Sequence, residues 1–357
     1  MGSFSPEPPK PWVETPLIFS PPISRAAGCN IYLKLENTQP SGSFKSRGVG
    51  NMMLRAISTS DQPEGSKFHF YCSSGGNAGL ACATTAIISL RQPATIVVPT
   101  STSAFMIAKL RELGADVVQM GASWAEADAF LRETLLLPEE GLTKVYVPPF
   151  DHPDVWAGVS TMVDEIALDM GVGMGGRFEG VGGLDGIVCN VGGGGLLNGV
   201  MEGLARNAKR LGGRDGTKVL AVETVGAESL YASVLAGELV TLPAITSIAT
   251  SLGARRVSQK TWEWAQTAGA DKLISATVTD QEAAMACVRF LDDARILIEV
   301  ACGATVATAY NGDLRRYLGK GLTDEEWARR NVVLVVCGGS NISWEILEKY
   351  KETYGRE

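Results

Sequence analysis

Short runs of valine, isoleucine and leucine recur along the chain, and most are followed by a stretch whose apolar residues return every three or four positions. Residues 31–36, 68–72, 94–98, 116–118, 144–147, 186–191, 218–222 and 331–336 predict strands. Helices are predicted to begin at Phe44 and to span 76–89, 102–113, 124–137, 154–169 and 196–211. Strands that are apolar throughout and separated by helices suit a parallel sheet covered on both faces, so the class is α/β. Residues 171–183 hold seven glycines and predict a mobile surface loop.

Composition narrows the partners. At 357 residues the chain suggests two domains, and 45% hydrophobic with 20% charged residues is ordinary for a globular protein. A net charge of -7 and the absence of a basic run oppose binding to nucleic acid. No apolar run reaches the roughly 20 residues of a membrane helix, and the proline-rich start lacks the apolar core of a secretory signal, so no membrane partner and a cytoplasmic location are expected. The seven cysteines form no CxxC pair and predict reduced, mostly buried thiols.

Three glycine-rich junctions carry the chemistry. In Pro40-Ser41-Gly42-Ser43-Phe44-Lys45, the lysine stands where a loop meets the start of a helix. There the helix dipole and any desolvation both favour the neutral, nucleophilic amine, although a lone lysine also fits a solvated surface charge. Between a strand and a helix, Gly192, Gly193, Gly194 and Gly195 remove every side chain, so that backbone N–H groups can converge on a phosphate. No Lys-Ser/Thr follows, which excludes the nucleotide P-loop. Ser73, Ser74, Gly75, Gly76 and Asn77 form the third junction, where hydroxyls, an amide and free N–H groups suit a carboxylate; for Ser74 alone, a helix cap fits as well. Amine, phosphate cradle and carboxylate loop together describe pyridoxal phosphate acting on an amino acid.

The order of these segments resembles the fold-type II family of pyridoxal-phosphate enzymes, most closely the eukaryotic serine dehydratase group. The likeness extends through Thr15-Pro16-Leu17, Lys34-Leu35-Glu36, Val222-Glu223-Thr224, Ile245 to Ala249 and Cys337-Gly338-Gly339-Ser340-Asn341. It implies two open, mostly parallel twisted sheets flanked by helices, with the cofactor in the cleft between domains. A small domain would span 39–148, and 1–38 with 149–357 would form the large one. It further implies that Lys45 carries the cofactor as a Schiff base and later acts as general base. Phe44 would lie against the ring, Asn77 would meet its 3-hydroxyl, and Gly192 to Gly195 with Leu196 would bind its phosphate. Ser73 to Asn77 would hold the substrate carboxylate, with Ser74 also at the catalytic centre.

Cys337 matches the family position facing the ring nitrogen. A thiol cannot hold a pyridinium as an aspartate would, which favours β-elimination over transamination or racemisation; without the resemblance it fits a buried strand-end cysteine. Glu223, with the carbonyls of Gly192, Ala227, Leu252 and Ala254, matches a potassium site, although a strand-end glutamate paired with an arginine fits equally. The implied activity is deamination of L-serine and L-threonine by a homodimer. No appended effector domain, and so no allosteric feedback by isoleucine, is expected. β-Replacement, racemisation and a non-catalytic binding protein remain as alternatives. Gly75 occupies a site where the most active members often have alanine, which would enlarge the substrate loop, and Val159 and Val300 stand where histidine and proline are usual. These departures leave the substrate open.

Overall fold

The computed structural model describes residues 10–61, 66–171, 175–178, 180–212 and 216–355. Ten strands occur among them: β1 (Leu17–Phe19), β2 (Asn30–Leu35), β3 (Lys67–Cys72), β4 (Ala94–Val98), β5 (Asp116–Gln119), β6 (Leu142–Tyr146), β7 (Gly186–Asn190), β8 (Lys218–Thr224), β9 (Leu273–Val278) and β10 (Asn331–Val336). They form a six-stranded sheet in the order β1-β2-β10-β7-β8-β9 and a four-stranded sheet in the order β5-β4-β3-β6. All neighbours pair in parallel except β1 with β2.

The chain divides into two units. One comprises the chain as far as Val13, Gln39–Ser41 and Lys45–Pro149, and holds the four-stranded sheet. Its strand β4 is buried at every position, whereas the outer strands β5 and β6 are mostly half-buried. The expected helix 76–89 is α-helical over Asn77–Ala83 and continues as a π-helical turn over Thr84–Ser89. The expected helix 124–137 likewise passes from Trp124–Phe130 into a π-helical turn at Leu131–Leu135, where the N–H of Leu136 donates to the Leu131 carbonyl. The extra residue in such a turn re-aims the side chains around it.

The other unit comprises Glu14–Thr38, Gly42–Phe44 and the chain from Phe150 onward, and holds the six-stranded sheet. Strands β7 and β10 are buried at every position, which accounts for their apolar sequences, broken only by an asparagine at one end of each. Lys34, fully buried on β2, is neutralised by Glu165 at 2.5 Å and also donates to the Thr15 carbonyl at 2.7 Å. A buried ammonium is tolerated only with such partners. The helix Val300–Tyr310 is buried on nearly all sides, consistent with its Ala, Thr and Gly content.

Of the glycine-rich segment 171–183, residues 172–174 and 179 lie outside the described residues. Phe178 packs edge-on against Tyr32 at 4.9 Å, and its N–H donates to the Asp169 carbonyl at 2.8 Å, so this part of the segment is anchored. All seven cysteines are free and buried.

Candidate active site

In a parallel sheet the strand ends at the carboxyl side gather the loops that bind ligands. Three loops expected to carry function leave the six-stranded sheet at this side. After β7, Gly194 adopts φ +97° and Gly195 opens the helix Gly195–Leu211, whose N-terminus has no side-chain cap. A Cβ at Gly193 would enter the Phe150 ring, and one at Gly194 would enter the Thr261 hydroxyl. At Gly192 it would come 3.1 Å from Leu252 Cα, and at Gly195 3.0 Å from the Phe150 carbonyl. Close approach therefore explains the four glycines.

The outer wall of this turn is a hydrogen-bonded set. Ser258 donates its N–H to the Gly193 carbonyl at 3.0 Å, and Thr261 Oγ1 donates to Asn198 Oδ1 at 2.9 Å. Asn198 Nδ2 in turn reaches Ser258 Oγ at 3.1 Å. Sequence reasoning missed this wall. A helix N-terminus of 17 residues, bare of side chains and uncapped, fits a phosphate.

Beside β7, β10 ends at Val336 and is followed by Cys337 and then by Gly338 and Gly339 at φ +83° and +122°. These two conformations let the turn bind the segment that precedes the lysine. Phe44 N–H donates to the Cys337 carbonyl at 3.0 Å, and Gly339 N–H donates to the Gly42 carbonyl at 2.9 Å. Cys337 Sγ accepts from Asn190 Nδ2 at 3.1 Å, and the same amide reaches the Ala301 carbonyl at 2.5 Å. Its hydrogen bond with Cys302 and its burial push the thiol well above the usual thiol pKa, so it is uncharged at neutral pH. Asn190 is a polar residue closing an apolar strand, a signal that could have marked it from sequence. Ser43 Oγ, beside Phe44, is buried and unpaired, leaving a hydroxyl here that a ligand could satisfy.

Near the end of β8, Glu223 is fully buried, and its two oxygens accept the N–H groups of Leu230 at 2.8 Å and Tyr231 at 2.7 Å. Burial pushes its pKa up to about 8 against the pull of those two donors. Of the expected carbonyls, that of Leu252 accepts the Ala254 N–H at 2.7 Å. Gly192 and Leu252 meet backbone to backbone. Among the described residues, no cluster of three or more His, Cys, Asp or Glu could hold a metal ion.

The remaining expected residues belong to the unit with the four-stranded sheet. Lys45 opens the helix Lys45–Ser58 and is half-buried, and its Nζ donates to the Pro149 carbonyl. Ser41 and Ser46 hold the approach to this helix through their hydroxyls, 2.8 Å apart. After β3, Ser73 is fully buried, and its hydroxyl donates to Asp128 Oδ1 at 2.5 Å. Ser74 Oγ accepts the Gly76 N–H at 3.3 Å, and Asn77 opens the next helix. Gly79 has no room for a Cβ because the Ser74 carbonyl lies there. Gly75 was expected to enlarge this loop, but the space is filled: an added Cβ would lie 2.6 Å from Thr102 Cγ2.

A family model described as "Pyridoxal-phosphate dependent enzyme" matches residues 10–338. The chain belongs to the pyridoxal-phosphate dependent enzymes. It is 41% identical over 345 residues to a Bos taurus protein named "L-serine dehydratase/L-threonine deaminase", covering 97% of this chain and 96% of that protein. A Saccharomyces cerevisiae "Catabolic L-serine/threonine dehydratase" is 38% identical over 326 residues, covering 90% and 86%. Among solved structures, a fungal L-serine ammonia-lyase from Rhizomucor miehei superposes with a TM-score of 0.82 at 34% identity, covering 96% of this chain and 99% of that one. For a pyridoxal-phosphate dependent enzyme, the uncapped glycine turn and the uncharged thiol beside it are fitting features. No helix among the described residues is long and apolar enough to cross a membrane.

Proposed function

We propose that this chain is an L-serine and L-threonine ammonia-lyase, giving pyruvate or 2-oxobutyrate together with ammonia. Relatives that bear those activities in their names support the substrate class. When bound, pyridoxal phosphate supplies an aldehyde that takes up the substrate amine and a ring that draws electrons from Cα. In this reading Lys45 holds the aldehyde, and its freed amine takes the Cα proton on Nζ. Gly192 to Gly195 and Leu196 bind the phosphate through their N–H groups, and Phe44 and Asn77 hold the ring. Ser74, Gly75, Gly76 and Asn77 receive the substrate carboxylate, with Ser73 behind them.

Cys337 is the observation that carries the reaction type. A thiol that stays protonated cannot keep a proton on the ring nitrogen, so these residues favour a reaction in which hydroxide leaves as Lys45 removes the Cα proton. Racemisation needs a second acid on the opposite face. Ser73 Oγ already donates to Asp128, which leaves Ser74 for that role. Glu223, with the carbonyls of Gly192, Ala227, Leu252 and Ala254, holds a potassium ion in this reading. A cytoplasmic homodimer completes it.

Purified protein incubated with L-serine, L-threonine, D-serine and O-acetylserine tests the proposal when keto acid, ammonia and amino-acid products are all measured. Keto acid and ammonia in equal amounts from L-serine or L-threonine are expected. D-serine or a β-substituted amino acid as the main product would overturn the assignment. Borohydride should fix cofactor to the wild type and none to Lys45→Ala, which should also lose activity.

A further inference from the structure

Ser73 is the residue through which β3 enters the carboxylate loop, and one helix face holds both of its polar groups. Trp124, Asp128 and Arg132 stand four residues apart and so share that face. Trp124 Nε1 donates to the Ser73 carbonyl at 2.6 Å, while Asp128 Oδ1 accepts the Ser73 hydroxyl at 2.5 Å. From β6, Tyr146 donates its hydroxyl to the same oxygen at 2.7 Å. Burial, followed by the hydrogen bond to Asp128, pushes the Tyr146 phenol up, so it stays a donor at neutral pH. Arg132 Nε donates to the other carboxylate oxygen at 2.8 Å, and its guanidinium lies 3.9 Å from the Tyr146 ring centre.

Asp128 is only 9% exposed and directly follows Ala127, which belongs with Leu131, Tyr71 and Val97 to an apolar cluster. A carboxylate in such a place is costly unless fully satisfied, and a packing role alone would suit a leucine better. Of its three hydrogen bonds, one comes from Ser73, the residue that anchors the loop, and those from Tyr146 and Arg132 fix the carboxylate that holds it. Arg132 offsets its charge, which keeps an uncompensated anion away from a loop meant for a carboxylate. The following residue is held as well, because the Ser74 carbonyl occupies the space left by Gly79.

We propose that Asp128 is a positioning residue for the substrate: by fixing the Ser73 side chain it sets where the Ser74–Asn77 groups meet the substrate carboxylate. The proposal rests on the reading of that loop given above. Asp128→Asn keeps an acceptor for the two hydroxyls but turns an N–H toward Arg132, and Asp128→Ala removes every bond. Tyr146→Phe removes one hydroxyl and leaves the fold intact.

The expected result is a KM for L-serine raised about tenfold in Asp128→Asn, more in Asp128→Ala and a few-fold in Tyr146→Phe, with kcat changed much less. Cofactor content should match the wild type. Amide hydrogen exchange at residues 74–77 should speed up by about tenfold in Asp128→Asn and stay unchanged in the helix Lys45–Ser58. Wild-type KM and loop exchange in both Asp128→Asn and Tyr146→Phe, with only Tm lowered, overturn the proposal. A wild type that deaminates nothing sinks the proposed activity instead, and the exchange measurement still decides whether Asp128 sets the loop.

Discussion

Replacing Glu223 with glutamine gives the most quantitative test of the charge balance. The buried carboxyl has its pKa pushed to about 8, against an ordinary value of 4.5. The folded state therefore holds this proton more tightly than the unfolded chain does. Its contribution to stability is fully present below pH 4.5, declines above it and is lost once the pH passes about 8. At about 1.4 kcal/mol for each pH unit in that interval, the loss is on the order of 5 kcal/mol. That corresponds to roughly 10 °C in Tm at ~2 °C per kcal/mol. A potassium ion against the carboxylate favours the charged form and offsets the loss.

The assay is thermal unfolding of wild type and Glu223→Gln from pH 5 to 8.5, in tetramethylammonium chloride and in potassium chloride. Glutamine leaves one amide N–H facing a backbone donor, a constant penalty, so the pH slope of the difference carries the information. The wild-type advantage should shrink by several degrees across the range in tetramethylammonium and stay nearly level in potassium. A difference independent of pH in both salts would refute the reasoning about burial. A slope that potassium leaves unchanged would refute the cation.

Other substitutions probe the two glycine loops. Gly193→Ala drives a methyl group into the Phe150 ring and should cost cofactor binding and at least about 100-fold in activity, read from cofactor absorbance and turnover. Gly75→Ala should lose about 1–3 kcal/mol of loop stability through its clash with Thr102, seen as roughly a tenfold fall in kcat/KM. Adding Thr102→Ala to that variant should restore it; failure to recover would mean that the glycine serves something other than space.

The strands legible in the sequence were those whose burial left room for at most one polar residue, such as β4, β7 and β10. β1 is three residues long and closely flanked by Pro16 and Pro21, too short to show a period. β9, at the sheet edge, mixes buried and half-buried positions in Leu-Ile-Ser-Ala-Thr-Val and lacks a continuous apolar signature. The π-helical turns leave no local trace because the apolar spacing hardly changes. In the candidate site, the glycine turns were legible because backbone approach dictates glycine locally. Asp128 was not: its partner Ser73 lies 55 residues earlier, and only folding brings the two together. Thr102 hid the meaning of Gly75 in the same way.

Strand β10 lies inside its sheet, between β2 and β7, in register from Asn331 against Asn30 to Val336 against Leu35. The Asn30 amide even donates to the Asn331 side chain at 3.1 Å across 301 residues of sequence. On a ribosome, β2 therefore waits through nearly the whole of synthesis with an open edge, and Gly42–Phe44 cannot be latched until the turn at Gly338 has emerged. The lysine segment is made early and secured late, so nascent chains stalled before residue 331 should need chaperones to stay soluble.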